Sequence, residues 1–208
     1  MSWPFLAVFF SGWLYIDAAY RDLRWQQWLF RPVTMLLLLL WACQAPGLEI
    51  SGYLIIAGLL TALLSDTIRM LPSKYLLLSF ITLFLSYLLY TISFALHNGF
   101  SFFFPLPLII LAVGVAVILI IWTRLDNMRW RVIDNFVMAL IMVWVACEQY
   151  FSLSNENRFS LMAGALLLLL GHCIRIIDHY RFPFKVSKAI VAACGFVGHF
   201  LIIRSLFL

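Results

Sequence analysis

The sequence predicts an all-α, polytopic membrane protein with eight transmembrane helices. Hydrophobic residues make up 65% of its 208 residues and charged residues 11%, whereas a soluble domain carries about 25% charged residues. The apolar residues form eight stretches of about 20 residues, the length of a helix that crosses the hydrocarbon core of a bilayer. The polar breaks between them alternate between basic and charge-poor. We therefore expect a single transmembrane domain that covers residues 1–208.

Each stretch is expected to be a helix because backbone N–H and C=O groups in hydrocarbon must find partners within their own segment. The predicted spans cover residues 4–20, 30–46, 51–71, 75–96, 104–123, 132–151, 159–178 and 186–206. Pro32 falls in the first turn of the second predicted span, where a missing N–H costs little. No Lys or Arg precedes the first span, so we expect a retained helix there rather than a secretory signal.

The basic residues predict how the helices are oriented. Twelve of the fourteen Lys and Arg residues lie in or beside the connections that follow spans one, three, five and seven. They are Arg21, Arg24, Arg31, Arg69, Lys74, Arg124, Arg129, Arg131, Arg175, Arg181, Lys185 and Lys188. By the positive-inside rule, these connections face the cytoplasm and both termini lie outside the cytoplasm.

The third and seventh spans share a pattern that predicts two parallel four-helix repeats. In each, a glycine lies eight residues before an ionisable residue, a small residue directly precedes that residue, and an arginine lies three residues after it. The residues are Gly58, Ser65, Asp66 and Arg69 in the third span and Gly164, Gly171, His172 and Arg175 in the seventh. Both spans run in the same direction, so the repeats would be parallel. Coincidence is the alternative, because glycines and arginines are common near helix ends.

Several classes of function are disfavoured. The net charge is +5, but no basic cluster is long enough to follow a phosphate backbone, so no nucleic acid partner is expected. The sequence has no C-x-x-C pair and no HExxH or other metal-ligand spacing, so we expect neither a metal nor a cofactor. It also lacks a G-x-S-x-G motif and a phosphate-binding glycine loop, which disfavours serine-type hydrolysis.

Asp66 lies at membrane depth, about one turn before the basic end of the third span. A carboxylate at that depth is costly unless it faces the bundle interior or is paired. One interpretation is an i,i+3 ion pair with Arg69 near the interface. The other is a carboxyl that acts as a general acid or base near neutral pH.

Five further polar residues are candidates for a site inside the bundle. His172 lies at a depth comparable to that of Asp66, and it is either a hydrogen-bonded packing residue or a second functional group. His199 lies near the middle of the eighth span and is expected to face inward. Arg31 either serves topology alone or binds a lipid phosphate. Tyr87 and Tyr90 share one face of the fourth span, and their hydroxyls need partners there.

The polar positions also resemble a known family. The similarity runs from Phe30-Arg31-Pro32 to Gly198-His199, and includes Gly58-Leu59 before Asp66, Tyr90 before Phe94, and Gly164-Ala165-Leu166. The chain resembles the YhhN-type membrane proteins, the lysoplasmalogenase family. This resemblance implies cleavage of the vinyl-ether bond of a lysophospholipid, which releases a fatty aldehyde and a glycerophospho-headgroup. It also implies a bacterial inner (plasma) membrane protein whose partner is a membrane lipid.

The chain departs from the family pattern at four places. The family usually has Lys where this chain has Arg31, His where it has Tyr87, Ser-Asp where it has Gly171-His172, and Gln where it has His199. Asp66 and Tyr90 match the pattern. The resemblance therefore implies either a site rebuilt around Asp66 and two histidines or a loss of the family's activity.

We adopt vinyl-ether hydrolysis as the leading hypothesis. Asp66 would be the general acid and His172 would orient or deprotonate water. The substrate-binding residues would be Arg31, Tyr87, Tyr90 and His199. Two alternatives are a lipid-binding or assembly protein without catalytic activity, and a small transporter that uses Asp66 and His172 as a proton relay. The sequence does not indicate an oligomeric state.

Overall fold

The computed structural model describes residues 3–96, 105–121, 129–152, 155–180, 184 and 186–208. Within these ranges the chain forms eight α-helices and no β-strand, which confirms the predicted all-α class. The helices are α1 (Trp3–Tyr20), α2 (Arg24–Ala42), α3 (Ile50–Arg69), α4 (Leu76–Leu96), α5 (Pro105–Ile121), α6 (Arg129–Ser152), α7 (Glu156–Tyr180) and α8 (Ser187–Arg204). A 3-10 turn at Ser73–Tyr75 leads into α4.

Five of the described helices are long and apolar enough to cross a membrane. They are Ile50–Arg69, Leu76–Leu96, Trp130–Ser152, Glu156–Tyr180 and Ser187–Arg204. The apolar parts of α1 and α5, Leu6–Tyr20 and Leu106–Ile120, are shorter. The protein is therefore a helical membrane protein, and the crossing of all eight helices stays a prediction.

The second helix differs most from its predicted span. It begins at Arg24 rather than near residue 30, so Pro32 lies inside the helix and the expectation that Pro32 occupies the first turn was wrong. The first turns of α2 are amphipathic rather than continuously apolar, so no apolar run in the sequence marks them. The helix ends at Ala42. Pro46 disfavours helical backbone at the residue that precedes it, and Gly47 adopts a positive φ of 63°.

The helices are arranged so that α5 lies at the periphery. Neighbouring pairs follow the order α1, α2, α3, α4, α6, α7 and α8, and α8 returns to pack against α1. Helix α8 also contacts α2 and α3, so it lies on the inner side of the bundle. Helix α5 packs on α6 and α7, and most of its described side chains are exposed or half-buried.

Two apolar clusters form the core, and the polar site lies between them. One packs α4, α6 and α7 around Tyr90, Phe94 and Phe136. The other packs α1, α2, α3 and α8 around Leu38 and Leu59.

The described basic residues of three connections gather at one end of the bundle. The Nζ of Lys188, in the first turn of α8, lies 2.6 Å from Oδ1 of Asp22, which follows α1. Arg69 at the end of α3 and Arg175 near the end of α7 line one cleft. We call the end that carries Lys188, Arg69 and Arg175 the basic end. Arg124, Arg181 and Lys185, which the sequence places in the same group, lie outside the described residues.

Helices α7 and α8 approach closely because glycines face each other. A Cβ at Gly164 would lie 2.7 Å from the carbonyl oxygen of Gly198 and 3.1 Å from the backbone nitrogen of Ile202. Backbone atoms cannot move aside as the end of a side chain can. Small residues at such contacts allow membrane helices to pack without an apolar driving force between them.

Replacing Gly164 by alanine should therefore destabilise the protein by about 1–3 kcal/mol, the usual cost of overpacking. The control is Gly195→Ala on α8, where a Cβ would meet nothing within 4 Å and alanine favours the helix by up to about 1 kcal/mol. Thermal unfolding in detergent should show a lower Tm for Gly164→Ala only. Equal Tm values for the two variants would contradict the close contact.

Candidate functional site

A cavity of about 50 Å³ lies inside the bundle between the two apolar clusters. We call it the inner cavity. Of the six candidate site residues, five line it: Arg31, Asp66, Tyr87, His172 and His199. The space is sufficient for water but far below the roughly 300–1,000 Å³ of a pocket that encloses a drug-sized ligand. Distant parts of the sequence thus meet around a small polar chamber.

Asp66 forms an ion pair with Arg31 of α2, not with Arg69 of its own helix. The Nη2 of Arg31 donates to Oδ1 of Asp66, and the two side chains are only 16% and 20% exposed. The guanidinium also lies 6.0 Å from the ring centroid of Tyr15. The interpretation of Asp66 as one half of an i,i+3 pair was therefore wrong, and its carboxylate faces the inner cavity.

Each of the two candidate histidines, His172 and His199, lies beside a tyrosine of α4. The hydroxyl of Tyr87 lies 3.5 Å from Nδ1 of His172, and that of Tyr90 lies 3.0 Å from Nδ1 of His199. Tyr90 thus reaches the site through His199 rather than by lining the cavity. The Nε2 of His172 is buried and has no hydrogen-bond partner among the described residues. This nitrogen is available to a water molecule or a ligand.

A second space, of about 300 Å³, lies beside His172 at the basic end. We call it the outer cleft. Its polar lining includes Arg69, Arg175 and Asp178, and His172 borders both this cleft and the inner cavity. The Nε of Arg69 donates to Oγ of Ser79 at 3.3 Å. The two spaces together give the site a small interior chamber and a larger opening towards the basic end.

Positive charge exceeds negative charge around these spaces. Three guanidiniums, of Arg31, Arg175 and Arg69, interact electrostatically with the carboxylate of Asp66. Among the described residues, Asp178 is the other carboxylate that lines either space. Charges at membrane depth are costly unless they are paired. The arrangement therefore favours the binding of an anion.

Some lining residues were not identified from the sequence. Tyr15 and Ser86 line the inner cavity, but no spacing or charge distinguished them from other residues of apolar helices. Arg175 was marked by its place among the basic residues that predict the orientation and in the predicted repeat, but not as a site residue. No group of three or more His, Cys, Asp or Glu side chains that could hold a metal ion occurs in the described part of the chain.

The fold and this site together define a helical membrane protein with a charged chamber inside its bundle. Residues 26–206 match the model of the YhhN family, and the chain belongs to that family. It is 47% identical to the membrane protein YhhN of Escherichia coli O6:H1 (strain CFT073) and to that of Shigella flexneri, over 208 residues and the full length of both chains. No solved structure matches the chain. The resemblance found in the sequence is thereby confirmed.

The Arg31–Asp66 pair should show strong thermodynamic coupling. Arg31→Met leaves a carboxylate unpaired inside the bundle and should cost about 3 kcal/mol, whereas Arg31→Met with Asp66→Leu removes both charges and should restore much of the stability. The control is the exposed pair Arg21–Asp17, for which the same cycle should give less than about 1 kcal/mol. Unfolding in detergent measures all variants. Additive losses at Arg31 and Asp66 would rule out the coupling.

Proposed function

We propose that the protein is a membrane-embedded lipid hydrolase that cleaves the vinyl-ether bond of a lysophospholipid, as lysoplasmalogenases do. The observation that carries this proposal is the inner cavity, in which Asp66, His172 and His199 meet although they come from three helices. A carboxyl group and an imidazole beside a water-sized space are the components that general acid–base hydrolysis requires. Membership of the YhhN family is consistent with this chemistry.

The reaction adds one water molecule to the vinyl ether. A proton is delivered to the alkene carbon that is not bonded to oxygen, and the positive charge is then shared between the other alkene carbon and the ether oxygen. Water adds to that carbon and loses a proton, and the resulting hemiacetal collapses to a fatty aldehyde and the glycerol hydroxyl. Asp66 delivers the first proton, and the unpartnered Nε2 of His172 accepts the proton of the water.

The ion pair with Arg31 sets a condition on this mechanism. A carboxylate that accepts a hydrogen bond from a guanidinium carries no proton to deliver. Arg31 must therefore turn away before Asp66 takes up a proton. A phosphate group bound beside the inner cavity attracts the positive charge of Arg31, so substrate binding itself favours the release.

The alkenyl chain requires more space than the inner cavity provides. A groove of about 520 Å³ lies between α4 and α6, and its lining is mainly apolar. Phe80 borders both this groove and the outer cleft. The chain of a lysophospholipid fits in the groove when its glycerol lies beside His172, which keeps the chain among apolar side chains.

We also propose that all eight helices span the bacterial inner membrane as two parallel four-helix repeats, with the basic end in the cytoplasm. Helices α3 and α7, which carry the repeated pattern, bring Asp66 and His172 to the same cavity. The concentration of Lys and Arg at one end supports the orientation.

The orientation predicts that Leu208 lies outside the cytoplasm. Alkaline phosphatase fused after Leu208 should be active, because it requires export, whereas a fluorescent protein that folds only in the cytoplasm should stay dark at that position. A fusion after Arg21, in a basic connection, should give the opposite pair of results. A C-terminal reporter that works only in the cytoplasm would overturn this topology.

Asp66→Asn should abolish aldehyde release from a purified lysoplasmalogen, with a loss of about 10²–10⁴-fold, because an amide cannot exchange the proton. The matched control is Asp17→Asn, which changes a more exposed carboxyl of α1 and should keep the activity. Retained turnover in Asp66→Asn would remove Asp66 from the chemistry.

If the unaltered protein releases no aldehyde but retains a lipid in native mass spectrometry, a binding protein is supported instead. Substrate-dependent proton flux in proteoliposomes would support a transporter.

A further inference from the structure

We propose that Arg69 and Arg175 form a binding site for the phosphate of a lysophospholipid in the outer cleft. This inference rests on the proposed function in that it names the phosphate site for the same substrate. It also changes the expectation from the sequence, in which Arg31 held the phosphate.

Arg31 is already engaged in the resting protein. Its Nη2 donates to the carboxylate of Asp66, and that pair lines the inner cavity of about 50 Å³, which does not have room for a headgroup. A phosphate can compete for Arg31 only after it has been held nearby. The first binding site for the phosphate must therefore lie elsewhere.

Arg69 and Arg175 form no salt bridge with a carboxylate among the described residues. Arg69 donates to the neutral hydroxyl of Ser79, and Arg175 forms no hydrogen bond or ion pair within the described part of the chain. The two positive charges repel each other. Asp178, an acidic residue that lines the cleft, accepts a hydrogen bond from the backbone N–H of Phe184 at 3.1 Å. An anion between the two guanidiniums would relieve the repulsion and receive charge-assisted hydrogen bonds.

The spacing of these arginines fits the substrate. Arg69 lies three residues after Asp66, and Arg175 lies three residues after His172, so each arginine projects on the same face about 5 Å closer to the basic end than its partner. In a lysophospholipid, the three glycerol carbons separate the ether oxygen from the phosphate by a comparable distance. A phosphate at the arginines thus places the ether beside His172.

The rest of the outer cleft suits an amphiphile. Leu76, Phe80, Val132 and Ile176 supply its apolar lining, and the guanidinium of Arg69 lies 5.9 Å from the ring centroid of Phe80. Its volume of about 300 Å³ is at the lower limit of ligand pockets. A phosphate and glycerol fill such a space, and the chain continues past Phe80.

Binding can be measured without turnover. Thermal stabilisation of the detergent-solubilised protein would be recorded with a lysophospholipid, with a monoacylglycerol of the same chain length, and with inorganic phosphate. We expect stabilisation by the lysophospholipid only. Arg69→Gln and Arg175→Gln should each weaken its binding by about 10–100-fold, the usual effect of losing a charge-assisted hydrogen bond. Lys74→Gln removes an exposed charge at the same end that does not line the cleft, and should bind normally.

Arg175→Lys is a second variant that keeps the charge but not the planar fork, and it should bind with intermediate affinity. Unchanged lysophospholipid binding in both glutamine variants would overturn the phosphate site, and so would equal binding of the monoacylglycerol. Stabilisation by inorganic phosphate alone, lost in both variants, would support the phosphate site and overturn the lipid as its source. If Asp66→Asn and the unaltered protein release equally little aldehyde while the glutamine variants lose binding, the hydrolase proposal fails and the phosphate site stands.

Discussion

The ion pair between Arg31 and Asp66 is the interaction on which the rest of the site depends. A carboxylate among apolar helices needs a cation within hydrogen-bond distance, and Arg31 supplies it from a different helix. This cross-helix pair fixes α2 against α3, and it turns Asp66 towards α4, α7 and α8 rather than towards lipid. Tyr87, His172 and His199, which come from those helices, complete the polar lining around the carboxylate. The same bond that stabilises the carboxylate at this depth also occupies it, so the proposed mechanism requires Arg31 to move first.

The site combines matching positions from two halves of the chain. Helix α3 supplies Asp66 and Arg69, and α7 supplies His172 and Arg175 with the same three-residue spacing. Asp66 lines the inner cavity and Arg69 the outer cleft, whereas His172 and Arg175 line both spaces. The proposed duplication would account for the presence of two arginines in one cleft.

The sequence was sufficient to predict the helices, but not how each helix is rotated about its own axis in the bundle. Long apolar runs leave the backbone no alternative to a helix, so the eight predicted segments coincide with eight helices in the described ranges. The partner of Asp66 was not predictable, because Arg69 is its neighbour in sequence whereas Arg31 is brought near only by the packing of α2 on α3. The start of α2 was missed because its first turns are amphipathic. Arg175 was recognised as part of a repeat but not as a residue that lines the outer cleft, because its position there depends on how α7 is rotated about its axis.

The proline inside α2 has a mechanical consequence. Pro32 directly follows Arg31 and has no N–H, so the carbonyl of Trp28 lacks its usual helical bond at that turn. The turn that carries the guanidinium therefore has one backbone hydrogen bond fewer than a regular helical turn. In the proposed mechanism, in which Arg31 leaves Asp66, this missing bond would lower the cost of the movement, while Met35, Leu38 and Ala42 keep the later turns of α2 packed in the bundle.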